Sequence, residues 1–464
     1  MTRAFRMGLS KLFLLSCAGV LPLAVVHARA GGEGQSEDEA RADEATDDED
    51  RPEWFCLVNG DVHTGTGALL RGATILAKDG VIHAIGYGVD IPEDAVRLDA
   101  RRMPVYPGLV AFDSGGLLGG SSDLADSVDP FSRNMVLALG SGITATGQGG
   151  DACKLKRGEI EGVVMREKYL QNLSFSTDNP SNKRSLREKF ERASKYMAEY
   201  REWEIKKKED KELEEPSKKG VDAAVLSVLR GENLARFNAD AREDLLDIAR
   251  LAQKYSFRPV IQGCREGWTV ADELGRAGAF AVVTPRTRSE KAEELVRDGG
   301  TSIENAAILH ESGVQVCVIP GNRGVILMGI AGRDILHLQI EAGFAVRGGL
   351  PEDAALAAIT IVPARLLGID RRVGTLEVGK DCDLIVTDGD VLHYQTFVQY
   401  AVVEGKQVYD KQAELIYPHI RPRPEDPVLA PEQRLDPGEE PAPEPEETPP
   451  AAEAKSGSPH RRRS

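Results

Sequence analysis

The residues of this chain that can act on a ligand are mainly oxygen donors, set one at a time at the ends of apolar runs. Asp113 closes the run 104–112 and leads through Ser114 and Gly115 into a glycine-rich stretch ending at Gly120. Asn238 and Asp240 close a second run, Glu266 follows a third just after Cys264, and Gly321-Asn322 follows a fourth. Gathered at one end of a sheet, Asp113, Asn238, Asp240, Glu266 and Asn322 offer a hard cation the oxygens it prefers. Each also has a plainer role as a polar residue at a strand end. Without a histidine or a carboxylate cluster, such residues are weak metal ligands. The glycines from Gly115 onward let a loop approach a ligand closely. Cys264 and Cys153 are the candidate nucleophiles, but no histidine lies near either in sequence, and a buried, inert thiol is the better reading. The eight histidines form no His-x-His pair; His27 and His460 are terminal, and His63, His83, His310, His337, His393 and His419 are scattered.

The elements that must position these residues are readable from periodicity. Residues 54–103 are strand-like, with turn signals at Asn59-Gly60, which predicts a hairpin, and at Asp79-Gly80. A matching set of strands lies at 383–387, 398–403 and 407–409, with Glu404-Gly405 as a turn. Between them, strands at 235–239, 258–261, 280–283 and 315–319 alternate with helices at 242–255, 268–277, 302–312, 331–346 and 351–368. Repeated strand–helix units imply a parallel sheet. The expected fold is α/β, a (β/α)8 TIM-type barrel over 107–369, plus a small β-sheet domain built from 54–106 and 370–417. Leu186, Phe190, Ala193, Tyr196, Met197, Tyr200 and Trp203 mark one face of a charged helical insertion at about 183–219. An apolar stripe at helical spacing predicts packing on the barrel wall; a lid or partner-binding arm is the alternative.

Several segments resemble the amidohydrolase superfamily, in its imidazolonepropionase-like branch. Val58-Asn59-Gly60 through Asp79-Gly80-Val81-Ile82 is similar to that family's opening sheet, and Pro107-Gly108-Leu109-Val110 to its first barrel strand. Val373-Gly374-Thr375-Leu376-Glu377-Val378-Gly379-Lys380-Asp381-Cys382-Asp383-Leu384 is similar to its closing motif. The likeness runs over about 54–412. It implies a hydrolase of non-peptide C–N bonds in cyclic amides or related compounds, using a divalent metal to activate water. The same alignment puts Asp113 and Gly115 at the two histidine places of the first strand. Asn238 stands at a later histidine place, a second histidine position within Val260-Ile261-Gln262-Gly263-Cys264 is empty, and Gly321 lies near the place of the catalytic aspartate. The metal-ligand positions are therefore degenerate. No metal is expected unless Asp, Asn and Glu rebuild the site, and the alternative is a non-catalytic barrel binding a small molecule or serving as a scaffold outside the cytoplasm. The resemblance also makes a homodimer a candidate assembly.

The ends bound the remaining classes. Arg3, Arg6 and Lys11 precede the apolar run 12–26, and Ala28-Arg29-Ala30 supplies small residues for cleavage, so 1–30 reads as a signal peptide. The run is short for a membrane span and contains Pro22. Leu14-Leu15-Ser16-Cys17 is a weak lipoprotein box, and cleavage near Ala30 is preferred. A periplasmic or secreted location is expected. Residues 31–53 read as an acidic disordered linker and 418–464 as a disordered Pro/Glu-rich tail. The net charge of −16 argues against nucleic-acid binding, which needs a basic surface. No Cys-x-x-Cys occurs, so neither a zinc ribbon nor a disulfide framework is expected.

Overall fold

In a computed structural model of the chain, the described residues are 52–119, 127–208, 210–211, 213–288, 298–321, 324–326 and 333–414, without the side chains of 333–337. The chain divides into 1–52 and 53–464. The signal peptide, nearly all of the acidic linker, the tail, Gly120 and Asn322 lie outside the described residues.

One sheet is built from both ends of the described chain. Its strands are β1 (Trp54–His63), β2 (Leu69–Lys78), β3 (Val81–Gly86), β4 (Val96–Asp99), β5 (Pro104–Pro107) and, much later, β16 (Leu384–Thr387), β17 (Val398–Val403) and β18 (Lys406–Asp410). β5 and β16 pair antiparallel and join the two sets. Asp79-Gly80 and Glu404-Gly405 close two-residue hairpins with positive φ at both central residues, as type I′ turns require. Asn59-Gly60 is not the hairpin that the sequence predicts. β1 runs straight through it with a bulge, and its register with β2 shifts between Leu57 and Gly60. A side chain at Gly60 would meet Val105 Cγ2 at 2.7 Å, so glycine serves close packing there rather than a turn.

The central strands are β6 (Leu109–Gly115), β7 (Ile143–Gln148), β8 (Asp151–Lys154), β9 (Val164–Arg166), β10 (Leu170–Asn172), β11 (Leu234–Ala239), β12 (Pro259–Gly263), β13 (Phe280–Val283), β14 (Gln315–Val318) and β15 (Val325–Ile326). They lie in two ladders, β10-β11-β12-β13-β14, all parallel, and β15-β6-β7-β8-β9, parallel as far as β7. Alternate side chains separate cleanly. Val110, Phe112 and Ala145 from one ladder meet Val260, Phe280, Val282, Cys317 and Ile319 from the other in one buried cluster. Their neighbours, such as Ala111, Ile261, Ala281 and Val316, join the larger cluster with the helices. Walls buried on one side against each other and on the other against helices are the layers of a barrel.

The helices are α1 (Arg133–Gly140), α2 (Pro180–Lys206), α3 (Ala223–Leu229), α4 (Arg242–Tyr255), α5 (Ala271–Arg276), α6 (Asn305–Glu311), α7 (Arg333–Arg347), α8 (Glu352–Ala357) and α9 (Ile361–Leu367). The single helix predicted over 351–368 is two. The carbonyls of Ala358 and Ile359 turn away to accept Val318 N–H at 3.0 Å and Val110 N–H at 2.9 Å, which interrupts the helical ladder. The apolar stripe of α2 packs on the wall. Phe190 stacks on Tyr255 and Phe257, and Lys183 bonds Asp244 at 3.1 Å and Asp247 at 2.8 Å on α4. Among the described residues no helix is long and apolar enough to cross a membrane.

Candidate functional site

Parallel strands of a barrel aim their C-terminal ends at one mouth. β6 carries Asp113 there, and β11 and β12 carry Arg236, Asn238 and Gln262. The register pairs Asn238 with Gln262, and the inward positions alternate with buried Phe237 and Ile261, which face the helices. Arg236 Nη2 donates to Asp113 Oδ2 at 2.8 Å, and its Nε donates to Gln262 Oε1 at 2.8 Å. Nη2 also bonds Gln262 Oε1. The guanidinium carbon lies 5.3 Å from the centre of the Phe112 ring. The side chains of Arg236 and Asp113 are 19% and 29% exposed, so the pair is wetted from the mouth without being free in solvent.

The other candidates in this region divide by their partners. Ser114 faces β7 instead of the mouth, because the β6–β7 register shifts between Ala111 and Ser114. Its hydroxyl donates to Gly147 O at 3.2 Å and accepts from Thr146 Oγ1 at 2.7 Å. Gly115 and Gly321 are half-buried, and Asn238 is exposed. Asp240 pairs with Arg265 at 2.8 Å. Glu266 accepts from Arg242 N at 3.0 Å and Gly300 N at 2.7 Å. It thereby caps α4, whose N-cap residue, Ala241, has no side-chain oxygen to offer. Cys264 is fully buried, and burial together with Asp240 pushes its thiol up to about 12. Burial, then Asp151, pushes Cys153 to about 12 as well. Both thiols stay protonated at neutral pH, which removes them as nucleophiles. Next to the mouth, Gly263, Arg265, Thr284, Thr301, Asn305 and Ile319 help line a cavity of about 30 Å³, room for water only.

Among the described residues, the oxygens named from the sequence are engaged by different partners. Asp113 is joined by Gln262 and by Arg236, a residue that ligand spacing does not single out. The signal for Arg236 lies elsewhere. It is a cation inside the apolar strand Leu234-Ala235-Arg236-Phe237, and a charge at an inward strand position requires a partner.

Members of the resembled superfamily usually hold divalent metal, and the donor set here does not fit one. Among the described residues no three His, Cys, Asp or Glu side chains gather as a metal site. Asp113 already accepts from a guanidinium, which cannot deprotonate in a protein. A dication bound to Asp113 would lie beside that cation. Like unit charges at 4 Å repel by about 4 kcal/mol at an effective dielectric of 20, and a dication doubles this.

A second ionic cluster lies near the strand starts. Lys154 on β8 is fully buried and reaches Asp383 and Glu404, each at 3.1 Å, and also Asp381. Arg372 adds bonds to Asp381 at 2.8 Å and Glu404 at 3.0 Å. Burial alone pulls the Lys154 pKa down, but Asp383 and Asp381 outweigh it and hold the amine above its usual range. These carboxylates come from the closing sheet, so the cluster bolts that sheet to the barrel.

The amidohydrolase family model matches residues 277–412. Amidohydrolase tasK of Hapsidospora irregularis is 34% identical over 96 residues, 21% of this chain and 10% of that protein. N-acetylglucosamine-6-phosphate deacetylase of Danio rerio is 41% identical over 68 residues, 15% of this chain and 16% of that protein. Urease subunit alpha of Yersinia pestis is 36% identical over 109 residues, 21% of this chain and 18% of that protein. The chain spans less than a fifth of the length of these curated relatives. The crystal structure of an amidohydrolase from Thermotoga maritima shares the fold at a TM-score of 0.59 and 22% identity, over 77% of this chain and all of that one. The closing segment, 277–412, thus matches the amidohydrolase family model, and the Thermotoga maritima structure shares the barrel fold.

Proposed function

We propose that this chain is an exported barrel that binds a small polar molecule at its mouth and has set aside the superfamily's metal-dependent hydrolysis of C–N bonds. One observation carries the reading. Asp113, which stands at a first-strand histidine place of the family, is held by Arg236, and Arg236 also holds Gln262, on the strand whose family histidine position is empty. A site wired in this way offers a ligand fixed hydrogen-bond donors and acceptors but no metal-bound water. Nucleic acid is not a proposed partner, because the net charge is −16. Export rests on the signal-like residues 1–30, and pairing into a homodimer on the family resemblance.

The competing reading is a working hydrolase with an unusual metal site, favoured by the hydrolase names of the matched relatives. Metal analysis separates the two. The full chain, purified under metal-replete conditions, is expected to hold well under one equivalent of zinc, manganese or iron. Near-stoichiometric metal that disappears on Asp113→Ala would establish the hydrolase reading instead.

A further inference from the structure

We propose that Arg236 is the resident cation of the barrel mouth, standing where metal-binding relatives keep their ion, excluding a dication from Asp113 and tying the two strand ladders together. The inference rests on the ligand-binding reading above and names what occupies the metal's place.

Position is the first argument. Asp113 belongs to β6 in one ladder, whereas Arg236 and Gln262 belong to β11 and β12 in the other. No strand pairing joins these two ladders among the described residues. The guanidinium bonds are therefore a direct polar tie between them, made by one rigid, permanently charged group over the Phe112 ring.

Steric freedom is the second. Gly115, at the other histidine place, has no left-handed backbone, and a Cβ there would meet only Ile326 Cγ1 at 4.0 Å. Its neighbours differ. A Cβ at Gly324 would lie 1.9 Å from Asp113 O, and one at Gly147 2.3 Å from Phe112 O. Packing closes positions 324 and 147 to side chains and leaves 115 open. The first steric contact of a side chain at 115 thus gives no reason to bar histidine, and the charge beside Asp113 is what excludes metal. Arg236 Nη1 has no partner among the described residues, so an arriving ligand meets a charged donor suited to a carboxylate or carbonyl oxygen.

The test uses Co²⁺ as the probe on the full chain, read by equilibrium dialysis and by visible absorption. Four forms are compared: wild type, Asp113→Ala, Asp113→His with Gly115→His, and that pair combined with Arg236→Met. Wild type is expected to bind well under one equivalent. The triple variant is expected to bind Co²⁺ at least roughly tenfold more tightly than the two-histidine variant. Stoichiometric Co²⁺ on wild type that Asp113→Ala abolishes would overturn both this inference and the ligand-binding reading. Equal affinity of the two-histidine and triple variants, none included, would overturn this inference alone. Should the triple variant fail to fold by circular dichroism, urea unfolding of Arg236→Met, Asp113→Leu and the two combined decides. A destabilisation smaller in the pair than the sum of the singles is expected, and simple additivity would overturn the tie between ladders.

Discussion

The two ionic clusters, one at the barrel mouth and one near the strand starts, join separate parts of the chain by different means. Around Lys154, three carboxylates and Arg372 surround a fully buried amine, and the charges are spent on one another. At the mouth, Arg236 holds one carboxylate and one amide, stays partly exposed, and keeps Nη1 unengaged among the described residues. A cluster centred on a fully buried amine with three carboxylate partners fixes geometry. An accessible, partly spent one can exchange a partner for a ligand. Burial of the central cation and the number of its carboxylate partners distinguish the bolt from the binding site, since each cluster also sets an arginine against a carboxylate.

The contrast can be broken by mutation. Lys154→Met leaves three carboxylates around an apolar side chain and is expected to cost about 3–5 kcal/mol in urea unfolding. Arg236→Met takes the cation from the partly exposed Asp113 and one partner from the buried Gln262, and is expected to cost about 1–3 kcal/mol. Equal losses from the two would erase the distinction between bolt and site.

Acid and base sharpen it. Burial pushes the Glu404 carboxyl up, but Lys154 and Lys156 outweigh burial and hold it below its ordinary 4.5. Its stabilisation is complete above that value and drains as pH falls toward the lowered one. Lys154, held above 10.5, stabilises fully below 10.5 and loses its contribution as pH climbs beyond. Thermal midpoints against pH should therefore show a plateau between about pH 5 and pH 10 with losses on both sides. Glu404→Gln is expected to flatten the acid limb, and an unchanged acid limb would remove Glu404 from the account.

The smallest effect is expected at Asn238. It is exposed and its side chain makes no hydrogen bond among the described residues, so Asn238→Ala should shift stability by no more than about 0.5 kcal/mol in the same urea assay. A larger loss would mean that the mouth is more tightly wired than its bonds indicate.

How much of the fold is legible in the sequence follows from what each feature depends on. The type I′ hairpins at Asp79-Gly80 and Glu404-Gly405 are legible, since a positive φ at two successive residues is a local demand. Strands β11 to β14 and α4 are legible too, from patterning over adjacent residues, whereas β7 to β10 are not singled out by it. Asn59-Gly60 misleads, because the same dipeptide that closes a hairpin also serves a bulge, and only Val105 packed against Gly60 distinguishes them. The split between α8 and α9 is invisible, since it arises from barrel strands drawing off two helix carbonyls.

For the site, position is legible and wiring is not. Strand alternation and the family's spacing draw attention to Asp113 and Asn238 at the mouth. The partnership of Asp113 with Arg236 spans 123 residues, and that of Lys154 with Asp381 spans 227. Turns, periodicity and the absence of a His-x-His pair are properties of near neighbours in the chain, and folding leaves them unchanged. Which cation meets which carboxylate depends on ladder register and on how the closing sheet docks, and those are set when distant segments pack around a shared core.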